Sequence, residues 1–327
     1  ICISYIYMKP KEILVFGASG QIGRNLIRKL TKNNYKVVAV TRNIHQKGYV
    51  LKTQANPGYL EVIELDNLNE EKISRLFKTC SVCINLIGIL YEENKNQFKK
   101  IHSIFPTLLS KIARENSIDQ FIHVSALGIE NATDSKYAKS KLEGEAGVKN
   151  NFEKSVILKP SIVYSIDDNF TTNFMTLLSR FPVMPLFYNG DTKFTPIHVT
   201  DLTEIIFQII LKEIKNEIIE CIGPEEISFK EILRKLLKAI GKKRMLIPMP
   251  LSLAKIQASF LEILPSFLQG GRKQLTSDQL KLLKYDNVPS RKYKTNIDLK
   301  INKTLKFFDN EIIKYSYMWK TGGEFSK

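Results

Sequence analysis

The chain has 327 residues, of which 43% are hydrophobic and 25% charged, a balance typical of a globular protein with a full core. Its formal net charge of +16 would suit nucleic acid or an anionic surface, but the lysines are scattered rather than clustered, so we expect no nucleic-acid partner. Four irregularly spaced cysteines argue against a disulfide framework, and the apolar runs are too short to predict a transmembrane segment.

The N-terminal half alternates short apolar runs with helical periodicity. Strands are predicted at 12–17, 35–41, 59–65, 81–88, 120–126 and 155–161, and helices at 21–30, 69–78, 95–116 and around Tyr137. Such alternation predicts right-handed crossovers and a parallel sheet covered on both faces. The predicted fold class is therefore α/β, with a doubly wound parallel sheet over residues 9–165. Residues 1–8 lack signal-peptide features, and Met8 suits a natural start, so we expect a non-native or disordered extension.

The alternation loosens after about residue 165. Helices are predicted at 170–181, 199–214 and 229–243, the second of them capped by Thr200 or Asp201. We predict a smaller, mostly helical lobe over 166–300, interleaved with late sheet elements at about 190–222, and a lysine-rich tail over 301–327.

Two further segments invite functional readings. The apolar stretch 245–269 predicts a short amphipathic helix between proline breaks, and we consider both a partner or membrane-surface contact and ordinary core packing for it. Cys80 and Cys83 form a C-x-x-C, but they enter an apolar run that predicts a strand, so we expect inert thiols. Since no second Cys/His pair completes a zinc site, no metal is predicted.

The stretch "GASGQIG" joins the first predicted strand to the first helix. Gly17 permits a tight turn, Gly20 lets the backbone approach a pyrophosphate, and Gly23 allows close helix–strand packing. The helix N-terminus adds free N–H groups and a partial positive charge. The stretch thus predicts a dinucleotide site, and its candidate binding residues are Gly17, Ser19, Gly20, Gln21, Ile22 and Gly23.

The G-x-x-G-x-x-G spacing resembles that of the extended and atypical short-chain dehydrogenase/reductases, which have a Rossmann fold. At the end of the second strand, where NAD-preferring members carry an acid, this chain has Arg42, and no Asp or Glu occurs from Thr31 to Leu60. A guanidinium can bind a 2′-phosphate. NADP(H) is therefore the preferred cofactor, with NAD(H) as the alternative.

Other stretches match the family's order. The resemblance implies adenine contacts at Asp66 and Asn67, dinucleotide contacts at Ile87 and Gly88, catalytic residues Ser125, Tyr137 and Lys141, and nicotinamide contacts at Tyr137, Lys141, Pro160 and Ser161. Because positions i and i+4 share a helix face, Lys141 can lower the Tyr137 pKa so that Tyr137 transfers a proton, while Ser125 orients a carbonyl or hydroxyl. One position departs from the pattern: His102 occupies the place of the family's relay Asn, which puts the proton relay in doubt.

Over residues 9–290 the chain more closely resembles one branch, the nucleotide-binding accessory subunit of respiratory complex I and its bacterial relatives. The most specific stretch is "LTSDQLKLLKYDNV" at 275–288. The resemblance implies a tightly bound NADPH that stabilises the protein, with partners in complex I or quinone biosynthesis. It also implies a bacterial cytoplasmic location with peripheral inner-membrane contact, or the mitochondrial matrix in a eukaryote.

Three functions stay open at this point. The first is the accessory role, and the second is an active NADP-dependent reductase, epimerase or dehydratase acting on a sugar nucleotide, sterol or quinone precursor. The third is a binding module that senses the NADP⁺/NADPH ratio. His102 disfavours turnover, whereas the intact set of Ser125, Tyr137 and Lys141 disfavours a pure scaffold.

Overall fold

The computed structural model describes residues 12–65, 69–249, 276–302 and 304–323. The strands are β1 Glu12–Phe16, β2 Lys36–Thr41, β3 Leu60–Glu64, β4 Cys80–Asn85, β5 Gln120–Val124, β6 Val156–Pro160, β7 Val163–Tyr164, β8 Val183–Leu186, β9 Lys193–Phe194, β10 Ile197–His198, β11 Glu217–Cys221, β12 Ile227–Ser228, β13 Met245–Pro248 and β14 Lys294–Thr295. The helices are α1 Gln21–Lys32, α2 Ile44–Lys52, α3 Glu70–Phe77, α4 Phe105–Glu115, α5 Lys136–Asn151, α6 Thr171–Arg180, α7 Val199–Leu211, α8 Phe229–Ala239, α9 Ser277–Leu282 and α10 Phe308–Ser316. A π-helical segment, Lys99–Ile104, leads into α4.

Eight strands form one sheet in the order β14-β11-β6-β5-β4-β1-β2-β3, and every pairing in it is parallel. The predicted doubly wound parallel sheet is confirmed. The strand order reverses between β1 and β4, the place at which open parallel sheets form a crevice outside the carboxyl ends of their strands. The segments that follow β1, β4, β5 and β6 therefore converge on one place.

Apolar side chains cover the sheet on both faces. One face packs against α1 and α7, with Leu26 and Ile205 in the core, and the other packs against α3 and α4, with Phe77 and Phe105. Helix α1 is amphipathic: its buried residues recur at helical spacing. This layering holds the N-terminus of α1 at the crevice.

The smaller lobe has its own core, built from α6, α8, α10 and short strand pairs. Met245–Pro248 pairs with β8 as a strand. The helix predicted between the proline breaks falls in residues 250–269, which lie outside the described residues. One prediction needs correction here. Helix α7 is capped by His198, which accepts from the Thr200 N–H, rather than by Thr200 or Asp201, because the turn from β10 leaves the imidazole over the first free amides. No helix in the described ranges is long and apolar enough to cross a membrane.

The lysine-rich tail docks through α10, which gives a matched test of packing. Phe308 is 1% exposed and packs against Tyr164, whereas its neighbour Phe307 is 53% exposed. We expect Phe308→Ala to lower the free energy of unfolding by about 3–5 kcal/mol because it leaves a cavity in the lobe core. Phe307→Ala should change it by no more than about 0.5 kcal/mol. Urea denaturation measures both, and equal effects of the two changes would show that the tail is not docked.

Candidate functional site

The glycine turn after β1 is built on contacts that exclude side chains. Gly17 has φ +79°, and a Cβ atom there would lie 2.9 Å from the carbonyl carbon of Leu86. At Gly23 a Cβ would lie 2.4 Å from the Ala18 carbonyl oxygen. Gly20 is less crowded: a Cβ atom there would have the Gly17 carbonyl oxygen as its one near neighbour, in a tight contact at 3.3 Å. The turn is a cradle that added methyl groups would fill, which fits a pyrophosphate held by backbone amides.

Helix α1 begins at Gln21 without a side-chain cap, because its N-cap is Gly20, and no acidic residue stands in its first turn. The first amides are therefore left for an anion. The Gln21 side-chain amide donates to Ser165 Oγ at 2.8 Å, and Arg24 Nη1 donates to the Ser19 carbonyl oxygen at 2.6 Å. These two bonds hold the turn in place from either side.

Arg42 follows β2 directly and is exposed, and it forms no hydrogen bond or ion pair with the described residues. A cavity of about 150 Å³ opens beside the glycine turn and is lined by Ser19, Arg24, Lys47, Val50 and Leu51. Arg24 is already paired with Asp167, so Lys47 is the lining cation left to attract an anionic group. Arg24 and Lys47 were missed by the sequence reading, and no motif in the sequence indicates them. An acid, Glu64, ends the neighbouring strand, but its carboxylate accepts from the Ile44 N–H at 3.2 Å.

The carboxyl ends of β4, β5 and β6 bring further predicted residues to the crevice. Gly88 is exposed, and a Cβ atom on it would lie 3.3 Å from Lys141 Nζ. Ser125 is 5% exposed, and its hydroxyl has no hydrogen-bond partner among the residues that the structure describes. Ser161, after the buried Pro160, donates to Asn287 Oδ1 at 2.5 Å. Asp66 and Asn67 lie outside the described residues.

Tyr137 and Lys141 lie one turn apart near the start of α5. Lys141 is 4% exposed and donates to the Val124 carbonyl at 3.2 Å. Burial lowers the pKa of Lys141 to about 8, and Glu145 partly offsets this effect. Desolvation among aromatic neighbours raises the pKa of Tyr137 to about 12. The expected lowering of the Tyr137 pKa by Lys141 is therefore absent, because desolvation dominates.

His102 is 1% exposed, and both of its ring nitrogens are engaged. Nε2 accepts from the Ile89 N–H at 3.0 Å, so Nδ1 carries the proton and donates to Ser140 Oγ, 3.0 Å away. The ring also meets Tyr137 edge-on at 5.2 Å between centroids. Burial, reinforced by Lys141, lowers the pKa of His102 to about 3. In this arrangement His102 is a neutral packing residue rather than a proton carrier.

The sequence did not predict the buried ion pair that lies near Ser125. Lys159 on β6 is 1% exposed; its Nζ lies 2.9 Å from Glu145 Oε2 and also bonds Glu130. Burial raises the pKa of Glu145, and the charge and hydrogen bond of Lys159 partly counteract this effect. A lysine inside the apolar run "VILKP" was the available signal, since lysines are rarely buried without a partner.

Other candidate chemistries find no support. Cys80 and Cys83 are buried in β4, and burial raises the pKa of the Cys80 thiol to about 11. Within the described ranges, no group of three or more His, Cys, Asp or Glu side chains is arranged to hold a metal ion.

The chain matches the model of the NmrA-like family over residues 9–277. It belongs to the NmrA-like family. It is 25% identical over 248 residues to NADH dehydrogenase (ubiquinone) 1 alpha subcomplex subunit 9, mitochondrial, of Arabidopsis thaliana, covering 75% of this chain and 62% of that protein. It is 26% identical over 249 residues to the NADH-ubiquinone oxidoreductase 40 kDa subunit, mitochondrial, of Neurospora crassa, covering 76% and 65%. The chain thus spans less than two thirds of either relative.

Among solved structures, the NmrA-like chain resembles Citrobacter sp. triphenylmethane reductase complexed with NADP(H), with a TM-score of 0.71 and 16% identity over 94% of this chain and 99% of that one. At this identity the likeness concerns the fold. The resemblance to short-chain dehydrogenase/reductases, and within them to the accessory-subunit branch, is confirmed by the family match and the named relatives.

The lowered pKa of His102 predicts an acid-dependent loss of stability. The unfolded chain binds a proton at this residue near pH 6.5 and the folded chain only near pH 3, so its contribution to stability is complete above pH 6.5 and is lost as the pH falls. Between pH 7.5 and 5 the loss is about 2 kcal/mol. Urea denaturation at both pH values measures the free energy of unfolding. Its fall between the two should be smaller by that amount in His102→Gln than in the wild type. The exposed control His45→Gln should show the same fall as the wild type. Identical pH dependence in all three proteins would contradict the assignment.

Proposed function

We propose that this NmrA-like protein binds NADP(H) and acts mainly as an accessory, stabilising factor linked to respiratory complex I or quinone metabolism. The observation that carries the proposal is the glycine turn at the uncapped start of α1, where Gly17 and Gly23 admit no Cβ atom. The names of the relatives support the respiratory link. We propose the mitochondrial matrix or, in a bacterium, the cytoplasm with peripheral contact to the inner membrane.

The preference for NADP(H) over NAD(H) rests on charge. Arg42 is unpaired within the described ranges, Lys47 and Arg24 line the adjoining cavity, and the chain carries no acid between Thr31 and Leu60. A guanidinium favours a 2′-phosphate, whereas a ribose 2′-hydroxyl is usually recognised by a carboxylate at this place.

The accessory role rests on the state of the proton-transfer groups. At neutral pH, a phenol whose pKa is about 12 supplies very little phenolate, and both nitrogens of His102 are already bonded. In the proposed complex Lys141 and Ser161 hold the nicotinamide end, and Gly88 lets it approach. A bound dinucleotide stabilises the fold by mass action whether or not it reacts.

One observation favours a second candidate, an active NADP-dependent reductase, epimerase or dehydratase. The Ser125 hydroxyl is buried and has no hydrogen-bond partner within the described part of the chain, which leaves it available to a substrate carbonyl or hydroxyl. The nicotinamide would supply the hydride chemistry, Ser125 would orient the substrate, and Tyr137 would carry the proton. The proposed substrates are a sugar nucleotide, a sterol or a quinone precursor.

Arg42→Asp tests the cofactor preference. We expect NADPH affinity to fall by about 10- to 100-fold, because a charge-assisted contact becomes a repulsive one, while NADH affinity is retained. The control Arg114→Asp changes the same charge on an exposed residue of α4, on the other face of the sheet, and should leave both affinities unchanged. Nicotinamide fluorescence titrations measure the affinities, and an unaltered NADPH/NADH ratio in Arg42→Asp would remove this residue from the site.

Gly20→Asp and Tyr137→Phe separate the accessory role from catalysis. A Cβ atom at Gly20 would lie 3.3 Å from the Gly17 carbonyl oxygen and needs a shift of a few tenths of an ångström, whereas an acid is favourable at a helix N-terminus. We therefore expect Gly20→Asp to fold but to repel the phosphates. We expect it to reduce cellular protein level and complex I assembly, whereas Tyr137→Phe leaves both near normal. A large respiratory defect in Tyr137→Phe at normal protein abundance would refute the accessory role and favour the enzyme.

A further inference from the structure

A segment distant in sequence from the crevice is attached to the start of α5. We call Thr276–Asn287 the strap; it includes α9 and lies in the stretch most specific to the accessory-subunit branch. Its Asp278 carboxylate accepts from Ser135 Oγ at 2.7 Å, the Lys136 N–H at 2.8 Å and the Tyr137 N–H at 3.0 Å. The strap thus caps the helix that carries Tyr137 and Lys141 with a charged acceptor 141 residues away from Tyr137.

The remainder of the strap continues over the same helix. Leu282 and Tyr285 pack with Tyr137, Ala138 and Leu142 in one apolar cluster. The strap therefore contacts α5 through both hydrogen bonds and apolar packing. Together these contacts position the first turn of α5 as well as satisfying its free N–H groups.

The far end of the strap reaches the other side of the crevice. Asn287 donates through Nδ2 to the Leu127 carbonyl at 2.6 Å, accepts from Ser161 Oγ at 2.5 Å, and donates its N–H to the Lys193 carbonyl at 2.7 Å. Lys193 belongs to β9, in the smaller lobe. One short segment thus joins α5, the turn after β6 and the smaller lobe.

We infer that Asp278 is a positioning residue that couples occupancy of the nucleotide site to docking of the strap. The inference rests on the proposed NADP(H) site, whose nicotinamide end would meet Tyr137, Lys141 and Ser161. A ligand there favours the conformation that the strap fixes, and by reciprocity the docked strap raises affinity for the ligand. Because the strap touches α5 and Ser161 and not the glycine turn, its effect is confined to the nicotinamide half of the cofactor.

The test compares whole NADPH with adenosine 2′,5′-bisphosphate, which lacks the nicotinamide half. We expect Asp278→Ala to weaken NADPH binding about tenfold, the effect of losing bonds to a charged acceptor, and to leave the bisphosphate within about twofold. Asp278→Asn, which keeps an acceptor oxygen, should recover part of the NADPH affinity. The control Asp134→Ala removes an exposed acid beside the same helix end and should alter neither affinity.

The outcomes are distinct. Equal weakening of both ligands, or of neither, in a folded Asp278→Ala would overturn the inference. If the wild type binds neither ligand, the proposed function itself fails. Amide hydrogen exchange of the wild type, with and without NADPH, needs no variant: we expect slower exchange in residues 277–285 on binding, and unchanged exchange there would also overturn the coupling.

Discussion

The site depends on backbone segments that touch without side chains between them. A Cβ atom at Gly17, directly after β1, would overlap the backbone of the segment after β4. A Cβ atom at Gly23, in α1, would overlap the backbone of the glycine turn. A third contact of this kind sets α5: a Cβ on Gly144 would lie 1.8 Å from the His102 carbonyl oxygen. Since backbone cannot yield as a flexible side chain does, these contacts fix how closely α1 packs against the glycine turn and α5 against the π-helical segment. The distances between the phosphate end and the Tyr137 end of the crevice follow from them.

The burial of charged side chains is the second constraint, and it acts at the Tyr137 end of the crevice. Lys141, Glu145 and Lys159 are each less than 9% exposed, and only Glu145 and Lys159 are paired with each other. Burying an ion is costly unless its partners repay the loss of water. Among the described residues Lys141 donates to the Val124 carbonyl, and burial lowers its pKa to about 8, so a ligand that offers it hydroxyl or carboxamide oxygens would offset the cost of burial. That relief is a physical reason for a nucleotide to stabilise this fold without being consumed.

The sequence predicted the features that depend on local pattern. Strand–helix alternation predicts the sheet because parallel strands need crossovers, and the glycine spacing predicts the turn because only glycine fits it. Features set by tertiary contact escaped prediction. Burial overturns the simple expectation that Lys141 lowers the pKa of Tyr137, and desolvation cannot be read from a spacing of four residues. Asp278 meets α5 across 141 residues, and only the folded chain brings them together.

Proton transfer by Tyr137 is asymmetric in this setting. To act as a base at pH 7 the phenol must lose a proton it holds until about pH 12, a difference of about 7 kcal/mol. A cation at about 4 Å in a partly screened site supplies about 4 kcal/mol, so Lys141 alone is insufficient. As an acid toward a developing alkoxide the same phenol does not meet that cost, so in the proposed enzyme Tyr137 would act more readily as an acid than as a base. Repeated turnover would then need the phenolate to be reprotonated, and His102, neutral with both nitrogens bonded, does not provide that route. In the proposed accessory role, Tyr137 and Lys141 would therefore hold a dinucleotide without efficient turnover.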